Sequence, residues 1–160
     1  MASRSDAGRV LVTGYTGFTG RYVAAALDEA GYTIIDAEAA GSLFDLTQPA
    51  SIAAVLQAAQ PDYVIHLAAL SFVGLKDATA FYAVNTVGTA QLLELLVTAG
   101  VRPRRVVIAS SANVYGNATV EPITEATPPA PVNHYAASKL AMEWMVQTYA
   151  DRLPIVMTRP

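Results

Sequence analysis

Short unbroken apolar runs alternate along this chain with stretches of helical spacing. "RVLVT" (9–13) is β-rich and lacks a helical period. "GRYVAAALDEAG" (20–31) places Val23, Leu27 and Ala30 on one helical face and stops at a glycine. "YTIID" (32–36) reads as a second strand, and "PASIAAVLQAAQ" (49–60) as an amphipathic helix opened by Pro49 and Ser51. A third strand lies within "PDYVIHLAA" (61–69), and a long apolar helix follows over 78–100. "RRVVIASS" (104–111) predicts a fourth strand, 117–133 a proline-rich loop, 133–151 a helix and "PIVMTR" (154–159) a fifth strand. Strands joined by helical crossovers predict an α/β doubly wound parallel sheet. Unbroken apolar strands predict a sheet covered on both faces. Its ligand crevice would lie at the carboxyl ends of the strands, where the strand order reverses.

The 160 residues fit one domain and are enough to bury a core. Hydrophobic residues make up 53% and charged residues 14%, a globular composition. No uninterrupted apolar stretch reaches the ~20 residues of a membrane span, and "MASRSDAGR" has no apolar signal core. The formal net charge of −3 points away from nucleic acid and anionic membranes as partners. Without cysteine, disulfides and thiolate metal sites are excluded, and no metal is expected. A soluble, cytoplasmic protein is the expectation. The chain reaches Pro160 directly after a strand, which suggests a piece of a longer protein.

"VLVTGYTGFTGRYV" (10–23) sets Gly14, Gly17 and Gly20 between a strand and a helix. Gly14 permits a sharp turn, Gly17 lets backbone amides approach a pyrophosphate, and Gly20 lets the helix pack closely on the sheet. The helix N-terminus would face the phosphates with its positive end. An acid at the end of the second strand binds ribose hydroxyls in dinucleotide folds. Asp36 and Glu38 are candidates, and Glu38 is the better placed. A carboxylate there favours NAD by repelling a 2′-phosphate, and Arg21 could offset that repulsion, so NAD and NADP both stay open.

"HYAASK" (134–139) places Tyr135 and Lys139 one helical turn apart, on one face. A phenol titrates near ~10, so a base working near neutrality needs ~4 kcal/mol of differential stabilisation of phenolate. One ammonium at ~5 Å supplies ~3 kcal/mol at an effective dielectric of about 20. A positively charged oxidised nicotinamide could contribute the rest. The bland alternative pairs Lys139 with Glu143, also at i+4, as a surface ion pair.

The motifs "TGYTGFTG" (13–20), "FDL" (44–46), "HLAA" (66–69), "NTVGT" (85–89), "SSANVYG" (110–116), "YAASK" (135–139) and "TRP" (158–160) occur in this order across nearly the whole chain. In them the chain resembles the extended short-chain dehydrogenases/reductases that act on nucleotide sugars. The resemblance implies a Rossmann NAD(P)-binding domain over 1–160, lacking most of a C-terminal substrate lobe. It implies catalytic roles for Ser111, Tyr135 and Lys139, with Tyr135 and Lys139 also touching cofactor. It places Gly14, Thr16, Gly17, Phe18, Glu38, Asp45, Leu46, Leu67, Ala68, Ala69 and Asn85 with the cofactor, Asp45 and Leu46 at adenine and Asn85 as a supporting residue. Structural alternatives stand beside these: Asp45 as a helix cap, Asn85 as a buried polar residue satisfied by backbone, and Tyr115 as packing or substrate lining. His66 reads as a packed histidine and His134 as a helix-start residue.

The implied reaction is hydride transfer at a sugar C4 with Tyr135 as acid/base. No acid follows Ser111, where Ala112 and Asn113 stand, so 4,6-dehydration is disfavoured and 4-epimerisation or 4-keto reduction remains. "LSFVG" (70–74) and "SSANVYGN" (110–117) are similar to reductases of GDP-linked 4-keto-6-deoxyhexoses. A non-catalytic NAD(P)-binding module is the alternative of a different class. The resemblance also implies a homodimer. Leu92, Leu95, Leu96, Trp144 and Met145 would serve its interface or fill the core.

Overall fold

The computed structural model describes residues 7–38, 44–72, 74 and 76–160. Five parallel strands form one sheet in the order β2-β1-β3-β4-β5: β1 (Arg9–Thr13), β2 (Thr33–Asp36), β3 (Tyr63–His66), β4 (Arg105–Ala109) and β5 (Ile155–Thr158). Helices α1 (Phe18–Glu29) and α2 (Pro49–Ala59) follow β1 and β2. A helical run, Thr79–Thr98, follows β3 and comprises α3 (Thr79–Phe81), a π-helical segment (Tyr82–Gly88) and α4 (Thr89–Thr98). A 3₁₀ turn (Ala112–Tyr115) and α5 (His134–Gln147) lie between β4 and β5. The strand order reverses between β1 and β3, the Rossmann-like switch point expected to carry the crevice.

The sheet is not covered equally on its two faces. Leu11, Val64, Val106 and Ile108 pack into one cluster with Ile52, Val55 and Leu56 of α2, Leu92, Leu93 and Leu96 of α4, and Met142 and Val146 of α5. Consecutive strand residues point to opposite faces, and β4 and β5 alternate in burial accordingly. Val156 is 41% exposed. Among the described helices α1 covers the second face, over β1 and β2. Among the described residues β1 is covered on both faces, and β5 is half-buried on one face and exposed on the other. The Thr79–Thr98 run, at 20 residues, is long and apolar enough to cross a bilayer. In the fold it packs into the core through Leu92, Leu93 and Leu96. Leu92 and Leu96 thus fill the core, whereas Trp144 is 64% exposed.

On α1 the buried residues are Gly20 and Ala24, flanked on the same face by the half-buried Val23 and Leu27 of the expected stripe, while Ala30 is exposed. Gly20 lies tight against the preceding turn: a Cβ there would collide with the carbonyl oxygens of Gly14 and Tyr15. Its closeness is to the loop at the end of β1, not to the sheet as expected.

His66 joins three elements. The Thr89 hydroxyl donates to the Asn85 carbonyl at 2.7 Å, so its oxygen accepts from His66 Nε2–H at 2.9 Å. Nδ1 is then the acceptor, and takes the Thr13 hydroxyl at 2.7 Å. Thr13 Oγ1 in turn accepts from the Ala68 amide at 3.2 Å. Burial, with the nearby Lys139 charge, pushes the imidazole pKa down from 6.5 to about 3. The folded value lies below the unfolded one, so this stability is complete above pH 6.5 and is lost as pH falls towards 3. Between pH 6.5 and 5, unfolding in urea is expected to become easier by about 2 kcal/mol, roughly 1.4 kcal/mol per unit. His66→Asn should flatten that slope, and an unchanged slope in the variant would assign it to another group.

Candidate active site

The carboxyl ends of β1, β3 and β4 meet at a cleft of about 460 Å³. Gly14, Thr16, Gly17, Phe18, Thr19 and Gly20 line one side, with Leu67, Ala68, Ala69 and Ser71 beyond β3. Ala109, Ser110, Ser111, Tyr135, Lys139 and Pro160 line the other. The triple-glycine turn and the Tyr-Lys pair therefore face one space.

The turn is built for close approach of backbone. Gly14 has φ +73, and a Cβ there would lie 2.7 Å from the Ala68 amide nitrogen. The Gly17 amide donates to the Gly14 carbonyl at 3.1 Å, closing the turn as α1 starts. Gly17 caps α1 without a side-chain bond, and no acid sits in the first turn. The helix thus presents uncapped amides and its positive end to the cleft, as an anion site requires. Glu38 accepts from the Gly14 amide at 2.6 Å and the Tyr15 amide at 3.1 Å. Asp36 accepts from the Glu38 amide at 2.8 Å, so Glu38, not Asp36, reaches the turn.

A smaller cavity of about 260 Å³ shares Ala68 and Ala69 with the cleft and adds Glu38, Phe44, Asp45, Leu46, Leu70 and Val84. Asp45 Oδ1 accepts from the Thr47 hydroxyl at 2.7 Å and the Thr47 amide at 2.8 Å, which holds its carboxyl below the usual range. These bonds form a turn ahead of α2. The cap of α2 is Gln48, with no side-chain cap bond.

Asn85 is fully buried and lines neither cavity. Its Oδ1 accepts from the Leu70 amide at 2.8 Å, and Nδ2 donates to the Leu70 carbonyl and to Ser138 Oγ, both at 3.0 Å. It ties the stretch after β3 to α5, and touches the cleft only through that stretch. It lies in the π-helical segment, an irregularity frequent at functional sites.

Helix α5 starts at His134 after Asn133, whose Oδ1 accepts from the Ala136 amide at 2.8 Å. Tyr135 packs edge-on to Phe81, with ring centroids 6.3 Å apart. Lys139 is buried and donates from Nζ to the Ala109 carbonyl at 2.8 Å. Burial pulls its pKa down to about 8, against the upward pull of Glu143. Ser111 caps the 3₁₀ turn, its Oγ accepting from the Asn113 amide at 3.2 Å.

The surface pairing of Lys139 with Glu143 does not occur. Glu143 is buried and held by Arg159, whose Nη2 and Nε donate at 2.6 and 2.9 Å, and by the Ser110 hydroxyl at 2.5 Å. Arg159 Nη1 also donates to Tyr115 Oη at 2.6 Å. The bonds to Glu143 foremost, with those to Tyr115, push the guanidinium pKa up. Sequence reasoning missed the roles of Ser110, Glu143 and Arg159. The available signal was the helical period, which puts Glu143 on the face of Tyr135 and Lys139 and hence indoors.

The profile of the NAD dependent epimerase/dehydratase family matches residues 10–160, and the chain belongs to that family. It is 38% identical over 152 residues to the GDP-6-deoxy-D-talose 4-dehydrogenase of Aggregatibacter actinomycetemcomitans, covering 95% of this chain and 52% of that protein. RMD from Pseudomonas aeruginosa, complexed with NADPH, superposes with a TM-score of 0.85 at 31% identity, covering 96% of this chain and 52% of that one. UDP-glucose 4-epimerase from Brucella ovis, in complex with NAD, superposes with a TM-score of 0.83 at 30% identity, covering 96% and 51%. The chain spans about half the length of the curated relatives it matches.

Gly20→Ala is expected to lower stability by about 1–3 kcal/mol, as overpacking does, and to weaken NADH binding at least tenfold. Denaturation and fluorescence titration read the two effects. Wild-type values for both would show that the turn accepts a side chain.

Proposed function

We propose that this chain is the cofactor half of an NAD(P)-dependent oxidoreductase or epimerase acting at C4 of a nucleotide-linked sugar. The carrying observation is that Ser111, Tyr135 and Lys139 line the same cleft as Gly14 and Gly17. The uncapped start of α1 and the side-chain-free turn fit a dinucleotide pyrophosphate. The smaller cavity beside Asp45 and Leu46 suits an adenine, and Glu38 suits the adjoining ribose. When bound, the nicotinamide supplies or accepts the hydride.

In the keto-reducing direction Tyr135 gives its phenolic proton to the C4 oxygen as hydride adds to C4, and the phenolate is reprotonated from solvent. Ser111 donates a hydrogen bond to that oxygen as negative charge develops on it. Lys139 stabilises the phenolate from the same helix face. In the alcohol-oxidising direction the same groups run in reverse. Oxidation followed by return of hydride to the other face would be epimerisation.

Ketoreduction of a GDP-linked sugar is favoured by the 38% identity to a GDP-6-deoxy-D-talose 4-dehydrogenase and by the sequence motifs at 70–74 and 110–117. 4,6-Dehydration fits poorly, because the described cleft lining contains no carboxylate. The Glu38 carboxylate at the turn favours NAD over NADP. The exposed Trp144 and Val87 suit contact with a second copy, so a homodimer is the proposed assembly, read by sedimentation.

In the full-length protein Tyr135→Phe is expected to cut turnover of GDP- or UDP-linked 4-keto sugars by roughly 10³-fold, within the range for lost acid/base catalysis. Affinity for NADH or NADPH should change less than about twofold. Wild-type turnover in the variant would remove Tyr135 from the mechanism. Cofactor binding without turnover in the parent would favour the non-catalytic module.

A further inference from the structure

The bond network around Glu143 reaches each element that carries the chemistry. Glu143 lies one turn beyond Lys139 on α5, and two beyond Tyr135. Its carboxylate receives Ser110, the neighbour of Ser111, and two donors of Arg159 at the end of β5. The third donor of Arg159 reaches Tyr115, the last residue of the turn that Ser111 caps, and its guanidinium lies 5.0 Å from the centre of that ring. Backbone bonds run in parallel: the Ser110 amide donates to Thr158 O at 2.7 Å, and the Ala112 amide to Pro160 O at 2.8 Å.

Ser111 itself spends its hydroxyl oxygen on one weak local contact, to the Asn113 amide at 3.2 Å. Its orientation relative to Tyr135 is set by what holds Ser110 and Tyr115 on either side. Lys139 is anchored by one bond, to Ala109, the residue before Ser110. The serine and the Tyr-Lys pair sit on different elements, and the Glu143 carboxylate, alongside the Lys139–Ala109 bond, spans the gap between them.

We propose that Glu143 and Arg159 are positioning residues for the reaction: their bidentate pair locks α5 to the ends of β4 and β5 and so holds Ser111, Tyr135 and Lys139 in a single register. This rests on the function proposed above. Neither residue lines the cleft that holds Tyr135 and Lys139; both line a neighbouring cavity of about 790 Å³ together with Tyr115. Displacement of a reacting group by about 1 Å costs on the order of 10²-fold in rate. The pair also carries an electrostatic consequence. Lys139 is faced by Glu143 and Tyr135 on its own helix and by the neutral His66 of β3, with Arg159, just past β5, and Tyr115 beyond Glu143. Removing the Glu143 charge takes away the group that holds the Lys139 ammonium up against burial, and leaves Arg159 uncompensated beside it.

Two variants of the full-length enzyme separate geometry from charge. Arg159→Lys keeps the charge and loses the fork and the bond to Tyr115. It should lower kcat by roughly 10- to 100-fold, with NADH affinity, KM and the position of the alkaline limb of the pH–rate profile unchanged. Glu143→Gln should lower kcat similarly and also move the alkaline limb to lower pH, because Lys139 loses its proton more easily. Thermal melting and NADH titration establish first that each variant is folded. A wild-type kcat in a folded variant overturns the proposal. So does a loss of folding in both variants, which would make the pair a strut of the core alone. Tyr135→Phe, run alongside, tells the two failures apart: if it retains turnover, the functional reading itself has failed. If it abolishes turnover while Glu143→Gln and Arg159→Lys match the parent, only the positioning role falls.

Discussion

The buried face of α5 carries Ser138, Lys139 and Glu143, and polar groups cannot enter an apolar interior without partners. Each finds its partner on a different element. Ser138 takes Asn85 from the π-helical segment, Lys139 takes the last carbonyl of β4, and Glu143 takes Arg159 and Ser110 beyond β5 and β4. Three desolvated groups on one helix therefore pin it at three places. The register of Tyr135 against Ser111 is a consequence of that requirement.

The opposite wall of the cleft answers a different constraint, the space available to backbone. Gly14 lies so near Ala68 that no side chain fits between the ends of β1 and β3, and Gly20 lies as near to the carbonyls of the turn. What remains is a rim of amides and a helix start without a capping side chain. The Glu38 carboxylate already accepts two amides of the turn, from Gly14 and Tyr15. The wall that would bind the cofactor owes its shape to missing side chains, and the wall that would carry the proton owes its shape to buried charges. His66 sits behind both, bonded to Thr13 of β1 and Thr89 of α4.

Legibility in the sequence followed the range of the interactions. The strands at 9–13 and 104–111, the glycine turn and the helix bearing "YAASK" could be read because each rests on local spacing. The contact of Gly20 with the preceding turn could not, since a glycine carries no hydrophobic signal and its place is set by carbonyls of that turn. Nor could the open face at Val156, because coverage depends on where the crossovers land. Asn85 was recognisable as a supporting residue, but its partners at Leu70 and Ser138 lie 15 and 53 positions away.

By itself the sequence determined the alternation of strand and helix, the turn that only glycine can make, and the one-turn spacing of Tyr135 and Lys139. Periodicity and backbone sterics act within a few residues, so they are written in order along the chain. The tertiary structure alone decided that Glu143 pairs with Arg159 rather than with Lys139, and that Ser110 is the serine it binds. Burial is a property of the assembled core. A carboxylate excluded from water takes the strongest donors the fold brings to it, and those came from the end of a strand that packs beside α5 only once the sheet has formed.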